Sequence, residues 1–324
     1  MKHITVIMSV FNEPLDWISG SIESILRQTF KDFEFIIIND NPNRKDISNL
    51  VSAYKSKDAR ILFIENEKNL GQAEARNRGL KIASGKYIAI MDADDISLPE
   101  RLQRQYQFLE NHNDIFLLGC SAQIMDRNGQ LREKAVKTGN HNDIVKNLLT
   151  GRLAFYHPTI MFRNEGLLYR GKFTCEDYDF YLTLLSQGKK NSNIKEICLN
   201  YRVSGQNISM TRKRKQVIHG KLALKFYYER QQTGYDSYDK LDFGNEEQII
   251  KFIGIPADKL EALVSREQLV FALGAGDYRA ARQTFECYKK YGTKKTEKLV
   301  LWLFLNVPYF YKIYRKLRYE FFRI

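Results

Sequence analysis

A chain of 324 residues with 44% hydrophobic and 27% charged residues, an ordinary soluble composition, is long enough for about two domains and a sizeable core. Four widely spaced cysteines with no C-x-x-C pair exclude a disulfide framework and a cysteine-built zinc site, and read as reduced cytosolic thiols. The net charge of +13 calls for a polyanionic partner, either nucleic acid, an anionic membrane or a phosphorylated substrate.

In chain order, Ile4 to Val10 reads as a strand, followed by a helix whose apolar face carries Ile18, Ile22, Ile25 and Leu26. The short apolar stretch after Met1 does not suit a signal peptide, and no run reaches the roughly 18 apolar residues of a membrane span. Strand Phe33 to Ile38, helix Ile47 to Lys55, strand Ile61 to Ile64, helix Ala73 to Ala83 and a strand from Tyr87 continue the alternation. Strands separated by helices of this length imply βαβ crossovers and a mostly parallel sheet. The runs Ile4-Thr5-Val6-Ile7-Met8 and Phe35-Ile36-Ile37-Ile38 are apolar on both faces, as strands covered on both sides require. A helix opened by Pro99 and ending near Asn111 follows, then strand Ile115 to Ile124, a turn at Asn128-Gly129, strands near Thr159 to Phe162 and Ile194 to Tyr201, and between these a helix from Asp177 to Gln187. The basic run Thr211 to Lys215 marks a boundary, so residues 1–210 are expected to form one α/β domain and 211–324 a helical C-terminal region.

Asp92-Ala93-Asp94-Asp95 stands where the Tyr87 strand stops. Carboxylates at the carboxyl end of a strand in an open α/β sheet lie where such sheets bind ligands. Hard oxygen donors of this kind suit Mg²⁺ or Mn²⁺, and those ions suit a diphosphate. Four further segments converge on that rim: Phe11-Asn12-Glu13 after the first strand, Asn39-Asp40-Asn41 after the second, Ala75-Arg76-Asn77-Arg78-Gly79-Leu80 before the cluster, and Glu176-Asp177 opening the late helix.

Phe-Asn-x-Glu, an acidic strand end, A-R-N-x-G-L, D-A-D-D and E-D at these distances resemble the family-2 inverting glycosyltransferases of the GT-A fold, over roughly residues 3 to 210. The resemblance implies a GT-A nucleotide-diphospho-sugar transferase domain of the bacterial cell-surface polysaccharide type. It implies Phe11 against the uracil or ribose of a UDP-sugar, Asp40 accepting from the base, Glu13 at the ribose edge and Arg76 near the base or diphosphate. Asp92 would lie near the ribose and a Mn²⁺ or Mg²⁺ ion, Asp94 on the ion, and Asp177 would deprotonate the acceptor hydroxyl. The implied acceptor is a lipid-linked glycan and the transferred unit a hexose or N-acetylhexosamine. Three positions depart from the family pattern: Asn39 in place of a frequent Asp, Thr183 in place of a frequent Arg, and Ser204 where some members carry a metal-binding His. His157 has two readings, an approach to the acceptor or a histidine satisfied within the core.

Leu299 to Leu305 is apolar all round, and after Pro308 the residues Phe310, Ile313, Tyr314, Leu317 and Phe321 share a helical face opposite Lys312, Arg315, Lys316 and Arg323. That pattern describes a helix lying in an anionic membrane surface, and so an enzyme peripheral on the cytoplasmic face of the plasma membrane; a terminal helix packed on the core is the other reading. Gathering of the charge beside apolar residues, without a nucleic-acid motif, argues against a nucleic-acid partner. The absence of a Gly-rich phosphate loop near the N-terminus argues against a nucleotidyltransferase.

Overall fold

A computed structural model of the protein describes residues 2–137, 139–203, 210–275, 277–292 and 295–306. The backbone divides into two compact units, Met1–Ser204 and Gly205–Ile324.

In the first unit the chain runs β1 (Ile4–Val10), α1 (Leu15–Leu26), β2 (Phe33–Asn39), α2 (Lys45–Lys55), β3 (Ile61–Glu65), α3 (Gln72–Ile82) and β4 (Tyr87–Asp92). It continues through β5 (Ile96–Ser97), α4 (Arg101–Asn111), β6 (Ile115–Asp126), β7 (Leu131–Ala135), α5 (His141–Leu149), β8 (Met161–Arg163), α6 (Glu176–Ser186) and β9 (Lys190–Val203). One sheet holds every strand of the described residues, in the order β3-β2-β1-β4-β8-β6-β9-β5, with β7 beside β6. β1, β2, β3 and β4 pair in parallel, as do β6 and β9, and the short β8 between β4 and β6 runs antiparallel to both. This is the α/β sheet that the alternation of strands and helices implies.

Burial on both faces explains the unbroken apolar runs. Ile4, Val6, Met8 and Val10 share a core with Ile18, Ile22 and Ile25 of α1, Val51 of α2 and Leu102 and Leu109 of α4. On the other face α3 approaches so closely that a Cβ on Gly79 would lie 3.0 Å from Ile7 and 3.1 Å from Ile38.

Differences from the sequence expectation have local causes. Helix α4 begins at Arg101 rather than Pro99, because the Pro99 carbonyl accepts from Thr29 N at 2.8 Å while Ile96–Ser97 bends back to pair with β9. Helix α5 was not anticipated, although Asn140 caps it by accepting from Asn142 N at 2.8 Å and Ile144 and Leu148 supply its buried face.

The second unit is helical: α7 (Met210–Thr233), α8 (Glu246–Ile253), α9 (Ala257–Ala275), α10 (Tyr278–Tyr291) and α11 (Lys295–Asn306). Side-chain oxygens of Asn245 and Asp277 cap α8 and α10. Leu301, Phe304 and Leu305 of α11 pack with Leu269, Leu273, Phe285 and Tyr288, whereas Leu299, Val300 and Trp302 are exposed. The amphipathic stretch from Pro308 to Arg323 lies outside the described residues. Among those that are described, no helix is long and apolar enough to cross a membrane.

Candidate active site

The parallel register brings three strand ends to one rim, with Ser9 opposite both Ile38 and Asp92, and Asp40 N donating to the Val10 carbonyl at 2.8 Å. Phe11 follows β1 with its ring 36% exposed, and its amide donates to Glu13 Oε2 at 2.8 Å. Asp40 is buried and already has three donors: Asn66 Nδ2 at 2.6 Å and Leu70 N at 2.9 Å on Oδ1, and Gly71 N at 2.9 Å on Oδ2. This carboxylate therefore ties the 66–71 loop to β2. Gly71 has φ +83°, a left-handed conformation that suits glycine, and α3 starts at the next residue. Asn39 points into the fold, donating to Ser48 Oγ and accepting from Asn41 N.

The acidic turn leaves β4 at Asp92, whose carbonyl accepts from Ser21 Oγ at 3.0 Å. Burial pushes the Asp94 carboxyl up to about 7, with the neighbouring charges of Asp92 and Glu13 adding to the effect. Asp95 is fully buried and is likewise raised, first by burial and then by Asp94 and Asp92. Its Oδ1 accepts from Arg202 N at 2.7 Å, while Oδ2 has no hydrogen-bond partner among the described residues.

Arg76 joins this turn to the late helix. From a side chain only 2% exposed, Nη2 donates to Asp92 Oδ1 at 2.8 Å and Nη1 to Glu176 Oε1 at 3.0 Å. Burial opposes the guanidinium charge, but Asp92 and Glu176 outweigh it and hold the pKa above its ordinary value. Asp177, next to Glu176 in the first turn of α6, accepts from Tyr178 N at 2.8 Å. Burial raises the Asp177 carboxyl; the Tyr178 amide and the charge of Arg76 work against that rise, and Asp92 adds to it. The two acids at the start of α6 thus lie within electrostatic reach of the acidic turn.

His157 is settled by its partners. Its Nδ1 meets Tyr181 Oη at 2.7 Å and its Nε2 meets Tyr169 Oη at 3.0 Å, and burial followed by the Arg76 charge pushes its pKa well down. A buried neutral imidazole bonded at both nitrogens fills a structural role.

Two roles in this constellation were not read from the sequence. Glu176, placed beside Asp177 as part of the acidic helix start, completes the Arg76 bridge. In Tyr201-Arg202-Val203-Ser204 the eye goes to Ser204, which lies outside the described residues, but it is Arg202 whose Nε reaches the Asp94 carbonyl at 2.7 Å.

The donor set at the rim fits a divalent cation: oxygen-only, acidic, and carrying a carboxyl whose ionisation the protein itself disfavours until positive charge arrives. Asp92 and Asp94 are the carboxylates that would hold it. Among the described residues, no group of three His, Cys, Asp or Glu side chains forms a complete metal site.

Comparison with known proteins agrees with this architecture. Residues 5–170 match Glycosyl transferase family 2. The uncharacterized glycosyltransferase MJ1057 of Methanocaldococcus jannaschii is 39% identical over 230 residues, covering 69% of this chain and 79% of that protein. The O-antigen biosynthesis glycosyltransferase WbnJ of Escherichia coli is 36% identical over 211 residues, covering 63% and 81%. The crystal structure of S. aureus TarS 1-349 in complex with UDP superposes with a TM-score of 0.55 at 19% identity, covering 90% of this chain and 93% of that one, a likeness of fold. The rim of acids, the mostly parallel sheet and these matches agree that the chain is a glycosyltransferase with the GT-A fold, a member of glycosyl transferase family 2.

Proposed function

We propose that this enzyme is an inverting, divalent-metal-dependent transferase that moves a hexosyl or N-acetylhexosaminyl unit from a UDP-sugar to a hydroxyl of a lipid-linked glycan in surface-polysaccharide synthesis. The observation that carries the reading is the Arg76 bridge, because it ties the acidic turn at the end of β4 to the helix start that presents Asp177. Support for the donor comes from TarS, solved with UDP and with UDP-GlcNAc. Support for the pathway comes from the names of WbnJ and of the amylovoran biosynthesis glycosyltransferase AmsE of Erwinia amylovora, 29% identical over 245 residues.

In this reading the exposed Phe11 ring stacks on the uracil and Glu13 meets the ribose. Asp40 fixes the 66–71 loop and turns its remaining acceptor capacity on Oδ2 to the base N–H. Arg76 orients Asp92 through its Nη2 rather than reaching the diphosphate itself. Asp92 and Asp94 would hold Mn²⁺ or Mg²⁺, which would supply charge neutralisation for the leaving diphosphate. Asp177 takes the proton of the acceptor hydroxyl as its oxygen bonds to the anomeric carbon and the bond from that carbon to the diphosphate oxygen breaks. One displacement releases UDP and inverts the anomeric centre. Its raised pKa makes Asp177 a stronger base than a solvent-exposed aspartate.

The transferase domain spans residues 1–210, and the helical region 211–324 is assigned to holding the enzyme at the inner membrane face. Exposed Leu299, Val300 and Trp302 on α11, with the basic amphipathic sequence that follows, support that assignment. A panel of UDP- and GDP-sugars, with products resolved by NMR, tests the chemistry. UDP release with an inverted linkage is expected; pyrophosphate release, retention of configuration or undiminished turnover in chelator would overturn it.

A further inference from the structure

We infer that Arg202 is a positioning residue that fixes the acidic turn in its cation-binding shape, an inference that rests on the donor reading above. This one residue holds both sides of the Asp94–Asp95 peptide. Its Nε donates to the Asp94 carbonyl at 2.7 Å, and its main-chain amide donates to Asp95 Oδ1 at 2.7 Å. Since Asp95 Oδ2 has no hydrogen-bond partner among the described residues, the bond from Arg202 is what orients that carboxylate.

The guanidinium is itself held from two further directions. Its carbon lies 4.5 Å from the Trp17 ring centroid, so α1 supplies a stacking face. Its Nη1 donates to the carbonyls of Arg127 at 3.1 Å and Asp126 at 3.4 Å, where β6 turns toward β7. Three segments far apart in sequence thus converge on one planar cation, and the peptide that aims the Asp94 side chain is fastened to it. A lysine lacks the fork and the flat face; it can satisfy one of these acceptors and leaves the others. The consequence for Asp94 is orientation: its carbonyl is drawn to Arg202, which sets the direction in which its carboxylate leaves the chain.

Outer-shell groups that orient a ligand change metal affinity by about tenfold or more when removed, and the test reads that quantity. Full-length wild type and Arg202→Lys are titrated with Mn²⁺ at fixed UDP, with binding followed by calorimetry and folding by thermal melting. The half-saturating Mn²⁺ concentration should rise about tenfold in Arg202→Lys, with UDP binding restored at high Mn²⁺. Trp17→Leu keeps every donor and removes only the stacking face, so it should shift the midpoint in the same direction by a smaller factor, and it decides the matter if the lysine variant does not fold. Unchanged Mn²⁺ midpoints with only a lowered melting temperature would overturn the inference by making Arg202 a strut of general stability. Failure of the wild type to bind UDP with Mn²⁺ present would be recognisable as failure of the donor reading and would overturn both.

Discussion

Arg76 donates to Asp92 at 2.8 Å from a side chain that is almost wholly buried, and the other end of the same guanidinium reaches Glu176, one hundred positions further along the chain. Removing one member of a buried ionic group leaves its partners uncompensated, at a cost of roughly 3–5 kcal/mol. Arg76→Met should therefore lower the unfolding free energy measured in urea by an amount of that order, and Arg76→Lys, which serves one carboxylate, should fall between. A surface-like loss below about 0.5 kcal/mol would show that the bridge does not hold the site together.

Asp94→Asn separates stability from function. Burial and the charges of Asp92 and Glu13 disfavour an ionised Asp94, so a neutral amide should leave the melting temperature in chelator unchanged or higher. Turnover with Mn²⁺ should nearly vanish, measured as UDP release under saturating donor. Wild-type turnover in this variant would remove Asp94 from the metal site.

The raised Asp177 carboxyl fixes the direction of a pH effect. Catalysis needs the ionised form, so activity should rise with pH along a limb displaced above the usual aspartate range. Stability has the opposite sign: with the folded pKa above the unfolded one, the stabilising contribution is full below the unfolded pKa and fades as pH rises to the folded value. Asp177→Asn should lose roughly 10²–10⁴ in rate while melting no lower than wild type at neutral pH. If Glu176→Gln is the inactive variant and Asp177→Asn survives, the base is Glu176.

Asp40→Ala removes three hydrogen bonds of the 66–71 loop at once. Gly71 N keeps Asn69 Oδ1, but Asn66 Nδ2 and Leu70 N are left unmatched, at about 1–3 kcal/mol for a buried donor, so a lower melting temperature should accompany weaker UDP binding by calorimetry. Equal or tighter binding of GDP than UDP in the wild type would contradict uracil recognition at this strand end.

Where the helical unit is cut decides what a truncation reports. Leu301, Phe304 and Leu305 belong to its core, so a chain ending before Lys295 should lose helicity by circular dichroism. A chain ending at Asn306 should stay folded and lose affinity for anionic vesicles at low salt, each removed basic residue contributing about 1 kcal/mol near the surface. Undiminished vesicle binding would place membrane contact elsewhere.

Much of this site is legible in the sequence because its signals are local. A strand end followed by Asp92-Ala93-Asp94-Asp95, and the apolar runs of β1 and β2, require no knowledge of distant partners. Arg76 is visible as a residue, yet its function depends on Glu176, and nothing in local periodicity measures that pairing. The strand near Thr159 to Phe162 is legible and forms β8, but its antiparallel place between β4 and β6 depends on pairing that no local period encodes. Leu299 to Leu305 reads as uniformly apolar, and only the packing of α9 and α10 separates its buried residues from its exposed ones.

The bonds that Asp40 makes to the 66–71 loop have a consequence for how such an enzyme diversifies. The end of β2 proposed to read the nucleotide is tied to a segment that lies outside the sheet and holds neither the proposed base nor the acidic turn. Substitutions at Glu67 or Lys68, which are exposed and absent from the three bonds to Asp40, offer a route to altered donor preference with the transfer machinery left in place. If Asp40 reads the base as proposed, donor choice can change without the bond-forming chemistry, and a library confined to that loop is the economical place to look for new sugar nucleotides.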